Sequence, residues 1–209
     1  MAKRTTRRSR PAPDPADAIV DATLRLAGER GWRGLSMAEI ADAAGLSLSE
    51  VHRHYRCKAQ ILCAFMARID RQVLDGTDPE IAAEPVRDRL FDLVMRRLDA
   101  LKPYKPGVQA LARALMRRPP AAALVAAGPL MASLQWMLTA ARIEPWGPLQ
   151  PLQLKGFALI YLSVLRVWLA DDGEDQAKTM AALDKALRRA DALVGRFRPG
   201  RRREAAETA

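Results

Sequence analysis

The sequence predicts an all-α chain of about nine helices, with an N-terminal three-helix domain holding a helix-turn-helix and a larger helical domain behind it. Three observations carry this. Alanine, leucine and arginine dominate while aromatic residues make up only 5%, a balance that favours helix over strand. Apolar residues recur at helical spacing along most of the chain. Two helix-start signals, Ser36 to Glu39 and Ser47 to Glu50, follow each other closely.

Pro11, Pro13 and Pro15 separate a basic arm, residues 1–15, from the first helix, and proline in a first turn removes no helical hydrogen bond. Ile19, Ala22, Leu26 and Ala27 then repeat at helical spacing as far as Gly31, which predicts a helix over about 16–30. Ser36 and Glu39 form a capping box: the serine oxygen accepts from the third helical N–H, and the glutamate reaches back to the cap. The short helix so begun carries Ile40, Ala41 and Ala44 on one face and stops at Gly45, a residue suited to the positive φ of a tight turn. Ser47 and Glu50 repeat the pattern and start a second short helix.

Two short helices joined by a glycine turn, with small alanines at the close approach, make a helix-turn-helix over residues 36–54. Leu46 and Val51 fill its core side. Ser47, Ser49, Glu50, Arg53 and His54 are left outside, as short polar or basic groups at and beyond the second helix's N-terminus. Such positions enter the major groove of double-stranded DNA.

A helix over 58–74 buries Ile61, Leu62, Phe65, Met66, Ile69 and Val73, and one over 86–101 buries Leu90, Val94, Leu98 and Leu101. A shorter helix follows at about 107–117, opened by Pro106. In 120–142 the pair Gly128 and Pro129 is expected to break or kink the helix. Two long helices, about 149–171 and 175–196, close the chain. The most apolar run, 157–170, is interrupted by Arg166 and falls short of the ~20 residues of a membrane span, so no stable membrane insertion is expected.

The net charge of +10 is concentrated at the ends: the first ten residues carry +5 and the segment from Arg196 onward +3. Basic tails suit a polyanion, because each cation placed on a phosphate releases a counterion. Arg7, Arg8 and Arg10 of the arm have two uses, lying in an adjacent minor groove or merely concentrating the protein on DNA. The tail 198–209 reads equally as a DNA contact or as a solvated end.

Residues 18–62 resemble the N-terminal domain of the TetR family of regulators. The resemblance is carried by Gly31, Ile40, Ala41, Ala44, Gly45, Ser47, His54, Tyr55 and Lys58 at the family's spacing, and the remaining length agrees with the family's nine-helix plan. It implies a homodimeric, non-catalytic repressor, with a DNA-binding domain over 16–60 and a ligand-binding and dimerisation domain over 61–197. It implies DNA contacts from Ser36, Ser47, Ser49, Glu50, His52, Arg53 and His54, with Lys58 against a phosphate at the next helix start. His52 stands where the family commonly has tyrosine, Glu50 where it has a small hydroxyl residue, and Leu48 where it is often polar or basic. Residues 87–104 and 167–187 also resemble the TetR-like lipid-binding protein of ubiquinone biosynthesis, through Arg97, Pro103, Trp168, Asp171, Thr179, Leu183 and Asp184. That second likeness implies an alternative, a carrier of an isoprenoid lipid.

Either way the second domain is expected to take a small apolar or amphipathic ligand. Met116, Met131, Trp136, Met137, Phe157 and Tyr161 suit a pocket lining or ordinary core packing alike, since soft side chains adapt to varied shapes. Arg113 and Arg166, arginines within apolar helices, call for an acidic partner from a ligand or from the chain. The last two helices, with Leu159, Leu162, Leu165, Leu183, Leu187 and Leu193, are the expected dimer surface.

No catalytic residue, cofactor or metal is expected. The chain lacks a glycine-rich phosphate loop and the nucleophile elbow G-x-S-x-G. His52 and His54, two apart on a helix, point away from each other. Cys57 and Cys63 form neither a zinc nor a disulfide pattern, which fits a reducing cytoplasm.

Overall fold

The computed structural model describes residues 14–77, 79–116 and 128–197. Nine α-helices lie among the described residues: α1 Pro15–Arg30, α2 Met37–Ala44, α3 Leu48–His54, α4 Lys58–Asp75, α5 Val86–Leu101, α6 Lys105–Met116, α7 Gly128–Ala140, α8 Gln150–Leu169 and α9 Ala177–Phe197. No strand occurs among them. The basic arm's Arg7, Arg8 and Arg10 and the tail 198–209 lie outside the described residues.

The chain divides into two compact units, Met1–Ala64 with Pro106–Ala114, and Phe65–Lys105 with Leu115–Ala209. The sequence placed the boundary at 60/61 and did not foresee that the first part of α6 clusters with the N-terminal unit.

In the first unit α1 lies against α2 and α3. Its inner face, Ile19, Val20, Ala22, Leu24, Leu26 and Ala27, is buried, and Thr23 satisfies its hydroxyl on the Ile19 carbonyl at 2.7 Å. Two glycines bring α6 onto α1. A Cβ on Gly107 would stand 2.5 Å from the Leu24 carbonyl oxygen, and one on Gly28 would stand 2.9 Å from Pro106 Cβ.

The second unit packs α9 on α8 and α5, and α7 on α8. Its core holds Phe65, Ile69 and Val73 of α4, Leu93, Val94 and Leu98 of α5, Leu134 and Met137 of α7, Phe157, Tyr161, Val164 and Trp168 of α8, and Leu183 and Leu187 of α9. At its centre is a fully buried arginine. Arg97 donates from Nη1 to Asp70 Oδ1 at 2.5 Å, from Nε to the Tyr161 hydroxyl at 3.1 Å and from Nη2 towards Met66 Sδ at 3.7 Å. Ser133 donates its hydroxyl to the same Asp70 oxygen. Four helices, α4, α5, α7 and α8, therefore meet at one ion pair.

The loop before α9 is fixed by Asp171, which accepts from the Thr179 N–H at 3.0 Å, the Thr179 hydroxyl at 2.8 Å and the Gly173 N–H at 3.3 Å. The Thr179 hydroxyl and these N–H donors hold its carboxyl below the ordinary carboxylate value.

Gly128 and Pro129 stand in the first turn of α7, where proline forfeits no bond, and residues 117–127 before them lie outside the described residues. Two sequence expectations need correction. Leu183 and Leu187 are spent in the intrachain core, whereas Leu159 (71% exposed), Leu162 and Leu193 stay outside with Leu152. All but the last residue of the apolar run at 157–170 falls in a longer segment, Gly147–Leu169, which by length and composition alone is long enough to cross a membrane. Only one side of it, Phe157, Ala158, Tyr161, Val164 and Trp168, is buried within the unit.

Breaking a buried ion pair from one side strands the other charge, at a cost of about 3 kcal/mol or more. Arg97→Ala is expected to lower the Tm by roughly 10 °C. Arg97→Met combined with Asp70→Leu should recover most of that loss. Thermal melts followed by circular dichroism check both, and a single variant as stable as the parent would show that the pair does not hold the core.

Candidate nucleic-acid interface

The exposed face of α3 is built by three pieces of local chemistry. At the start of α2, Ser36 Oγ accepts from the Glu39 N–H at 3.2 Å, while Glu39 Oε2 accepts from the Ser36 N–H and hydroxyl, both at 2.8 Å. At its end Gly45 sits at φ 69° and ψ 28°, donating to Asp42 O at 3.1 Å, and Leu46 donates to Ala41 O at 3.0 Å. This pair of bonds around a left-handed residue closes the helix and reverses the chain. Ser47 and Glu50 then repeat the first device: Ser47 Oγ accepts from the Glu50 N–H at 3.2 Å, and Glu50 Oε2 accepts from the Ser47 N–H at 2.9 Å and hydroxyl at 2.7 Å.

Apolar residues sit at the staple positions of both caps: Leu35 before Ser36 with Ile40 inside, and Leu46 before Ser47 with Val51 inside. Ile40 and Val51 are fully buried and Leu35 nearly so. Val51 therefore fixes which side of α3 faces inward. Ser49, His52, Arg53 and His54 are exposed on the rest of the helix, with the Arg53 side chain 71% exposed and its Nη2 3.8 Å from Glu50 Oε1. A polar and cationic convex surface of this size fits a major groove.

Both cap carboxylates are shifted below 4.5, Glu39 by the Ser36 N–H and hydroxyl with Arg30 nearby, and Glu50 by the Ser47 hydroxyl and N–H with Arg53 and His54 nearby. Ser36, Ser47 and Glu50, which the sequence placed among the DNA contacts, thus hold the helix starts.

Lys58 has partners within the chain. Its ammonium donates to the Trp32 and Leu35 carbonyls at 3.2 and 2.6 Å and lies 5.2 Å from the centre of the Trp32 ring. The side chain ties the start of α4 to the α1–α2 loop, with two carbonyls and an aromatic face around the ammonium. Arg56, which the sequence analysis passed over, is exposed just beyond α3. The signal for it was a lone cation in the short link between two helices.

The ligand candidates differ in burial. Met137, Phe157 and Tyr161 are buried in the second unit's core and Met131 is half-buried, while Met116 and Trp136 are 67% and 57% exposed. Arg113 and Arg166 are exposed, so water solvates them and neither demands an internal acid. The arginine that does is Arg97.

Residues 19–65, the segment containing these caps, match the model of bacterial regulatory proteins of the tetR family. The match identifies residues 19–65 as a tetR-family segment. It is 33% identical over 78 residues to the HTH-type transcriptional regulator BetI of Rhizobium meliloti (strain 1021), a match covering 37% of this chain and 38% of that relative. The TetR fold extends well beyond the matched segment. A TetR transcriptional regulator from Nitrosomonas europaea ATCC 19718 superimposes with a TM-score of 0.69 at 24% identity, over 85% of this chain and 99% of that one. Thermus thermophilus FadR, a TetR-family repressor in complex with lauroyl-CoA, does so with a TM-score of 0.55 at 20% identity, over 83% and 91%. None of these proteins is the ubiquinone-biosynthesis protein. Of the positions that carried that likeness, Arg97, Trp168, Asp171, Thr179 and Leu183 are buried and serve the core or the α9 cap.

Two predictions follow from the caps and the lysine. A carboxylate with a depressed pKa contributes stability above its unfolded value, and that contribution disappears as pH falls through the folded value. Thermal stability should therefore decline with acidification below about pH 4.5, and Glu39→Gln with Glu50→Gln, which keep an acceptor but do not titrate, should flatten the decline. Melts from pH 6 to pH 3 read the slopes, and equal slopes would refute the link. Lys58→Ala should lower the Tm of the N-terminal unit and leave the salt dependence of DNA binding unchanged. A phosphate contact would instead cut the slope of log K against log salt by about 0.9.

Proposed function

We propose that this chain is a ligand-responsive transcriptional regulator that binds operator DNA as a homodimer, acting in the cytoplasm as a repressor. The observation that carries the proposal is α3 itself, a seven-residue helix capped at its start, anchored inward by Val51 and exposing Ser49, His52, Arg53 and His54. Arg53 and Arg56 supply cations for phosphates or base edges. Ser36, Ser47 and Glu50 act by holding the helix starts. The basic arm, with Arg7, Arg8 and Arg10, adds affinity through phosphate contacts.

The dimer surface proposed is the outer face of α8, with Leu152, Leu159 and Leu162, together with Leu193 of α9, because these apolar side chains are left exposed by the chain's own packing. Pairing sets two copies of α3 about one DNA turn, ~34 Å, apart or a multiple of it. A small apolar or amphipathic ligand bound by the second unit shifts the population towards a spacing that no longer fits. The neighbouring FadR with its lauroyl-CoA supports a ligand of this kind.

Titrating the protein's own upstream DNA across a salt series, with chains per duplex measured by light scattering, tests the reading. The expected result is one preferred duplex holding an even number of chains, bound at least a thousandfold more tightly than unrelated DNA. Arg53→Ala should reduce that preference by about tenfold or more. Sequence-blind binding alone, with an apolar lipid co-purifying, would replace this reading with the lipid carrier.

A further inference from the structure

Leu48 is the first residue of α3 and is 53% exposed. A lone exposed leucine elsewhere on a protein surface carries no message. Here the inward anchor of the helix is another residue, Val51, and Leu46 occupies the staple position before the cap. An isobutyl group thus stands among Ser49, His52 and Arg53, on the part of the chain proposed to meet base edges.

Glu50 removes the competing polar reader from that helix start. Its Oε2 accepts two hydrogen bonds from Ser47, and its Oε1 faces the Arg53 guanidinium at 3.8 Å. A carboxylate so engaged is held at the cap by one oxygen and beside a guanidinium by the other, which restrains it from swinging out to a cytosine amino group. Within the major groove the apolar feature that distinguishes one base pair from another is the C5-methyl of thymine.

Resting on the operator-binding reading above, we infer that Leu48 is a specificity-determining residue that packs on a thymine methyl in each half-site, and that Glu50 positions α3 without reading a base. Leu48 selects the base while contributing little to sequence-blind affinity, because it touches no phosphate. It also adds little to stability, being half outside the core already.

The test uses the full-length protein and duplexes selected on it from a random-sequence pool. Thymidines in the selected duplex are replaced one at a time by deoxyuridine, which keeps every hydrogen-bonding edge and removes only the methyl. One thymidine per half-site is expected to lose about fourfold in affinity on replacement, the worth of one buried methyl group. Leu48→Ala should bind the thymidine and deoxyuridine duplexes equally, with an unchanged melting temperature. Leu48→Met, which keeps an apolar side chain of similar reach, should retain the discrimination. If no replacement affects the parent protein, or if Leu48→Ala still discriminates, the inference about Leu48 is wrong while operator binding stands. If the pool yields no preferred duplex, both are wrong.

Discussion

Two serine–glutamate pairs hold the N-terminal unit in working order. Each pair satisfies backbone donors that a helix start leaves without partners, and each does so within four consecutive residues. Helices of eight and seven residues are far too short to persist on propensity alone. The caps fix where α2 and α3 begin, Gly45 fixes the reversal between them, and Val51 fixes the rotation of α3. The surface that follows is a by-product of these constraints: whatever does not cap or pack is left facing out.

The two units are built on different principles. The first uses small residues and hydrogen-bonded helix ends, with Gly28 and Gly107 permitting backbone approach. The second uses a large apolar core around one dehydrated ion pair. Burying Arg97 is tolerable because Asp70 neutralises it while Tyr161 and Met66 take up further N–H groups. The outer face of α8 has no such resolution among the described residues, where Leu152, Leu159 and Leu162 stay exposed.

What could be read in the sequence was what is local. Both capping boxes, the glycine reversal and the inward face of each helix depend on residues three or four apart, and those spacings are visible in a linear string. The carbonyl acceptors of Lys58, on Trp32 and Leu35, could not be read there, because a sequence pattern does not display them. Arg97 entered the sequence reading only through a family likeness, and its burial was not visible there because its acid lies 27 positions away on α4. Arg113 and Arg166 were misjudged for the opposite reason, since apolar neighbours in sequence do not mean apolar neighbours in space. Leu183 and Leu187 show the same limit, for periodicity reports a buried face without saying which surface covers it.

The ionic knot on Asp70 also limits how the second unit can move. Sliding α4 past α5 by one helical turn would carry the carboxylate about 5 Å from the guanidinium and leave a bare charge in a dry interior. The two helices are therefore keyed to a single register, like a tooth in a notch. Any rearrangement that a bound molecule provokes has to carry α4 and α5 as one piece, or supply its own counter-charge to Arg97.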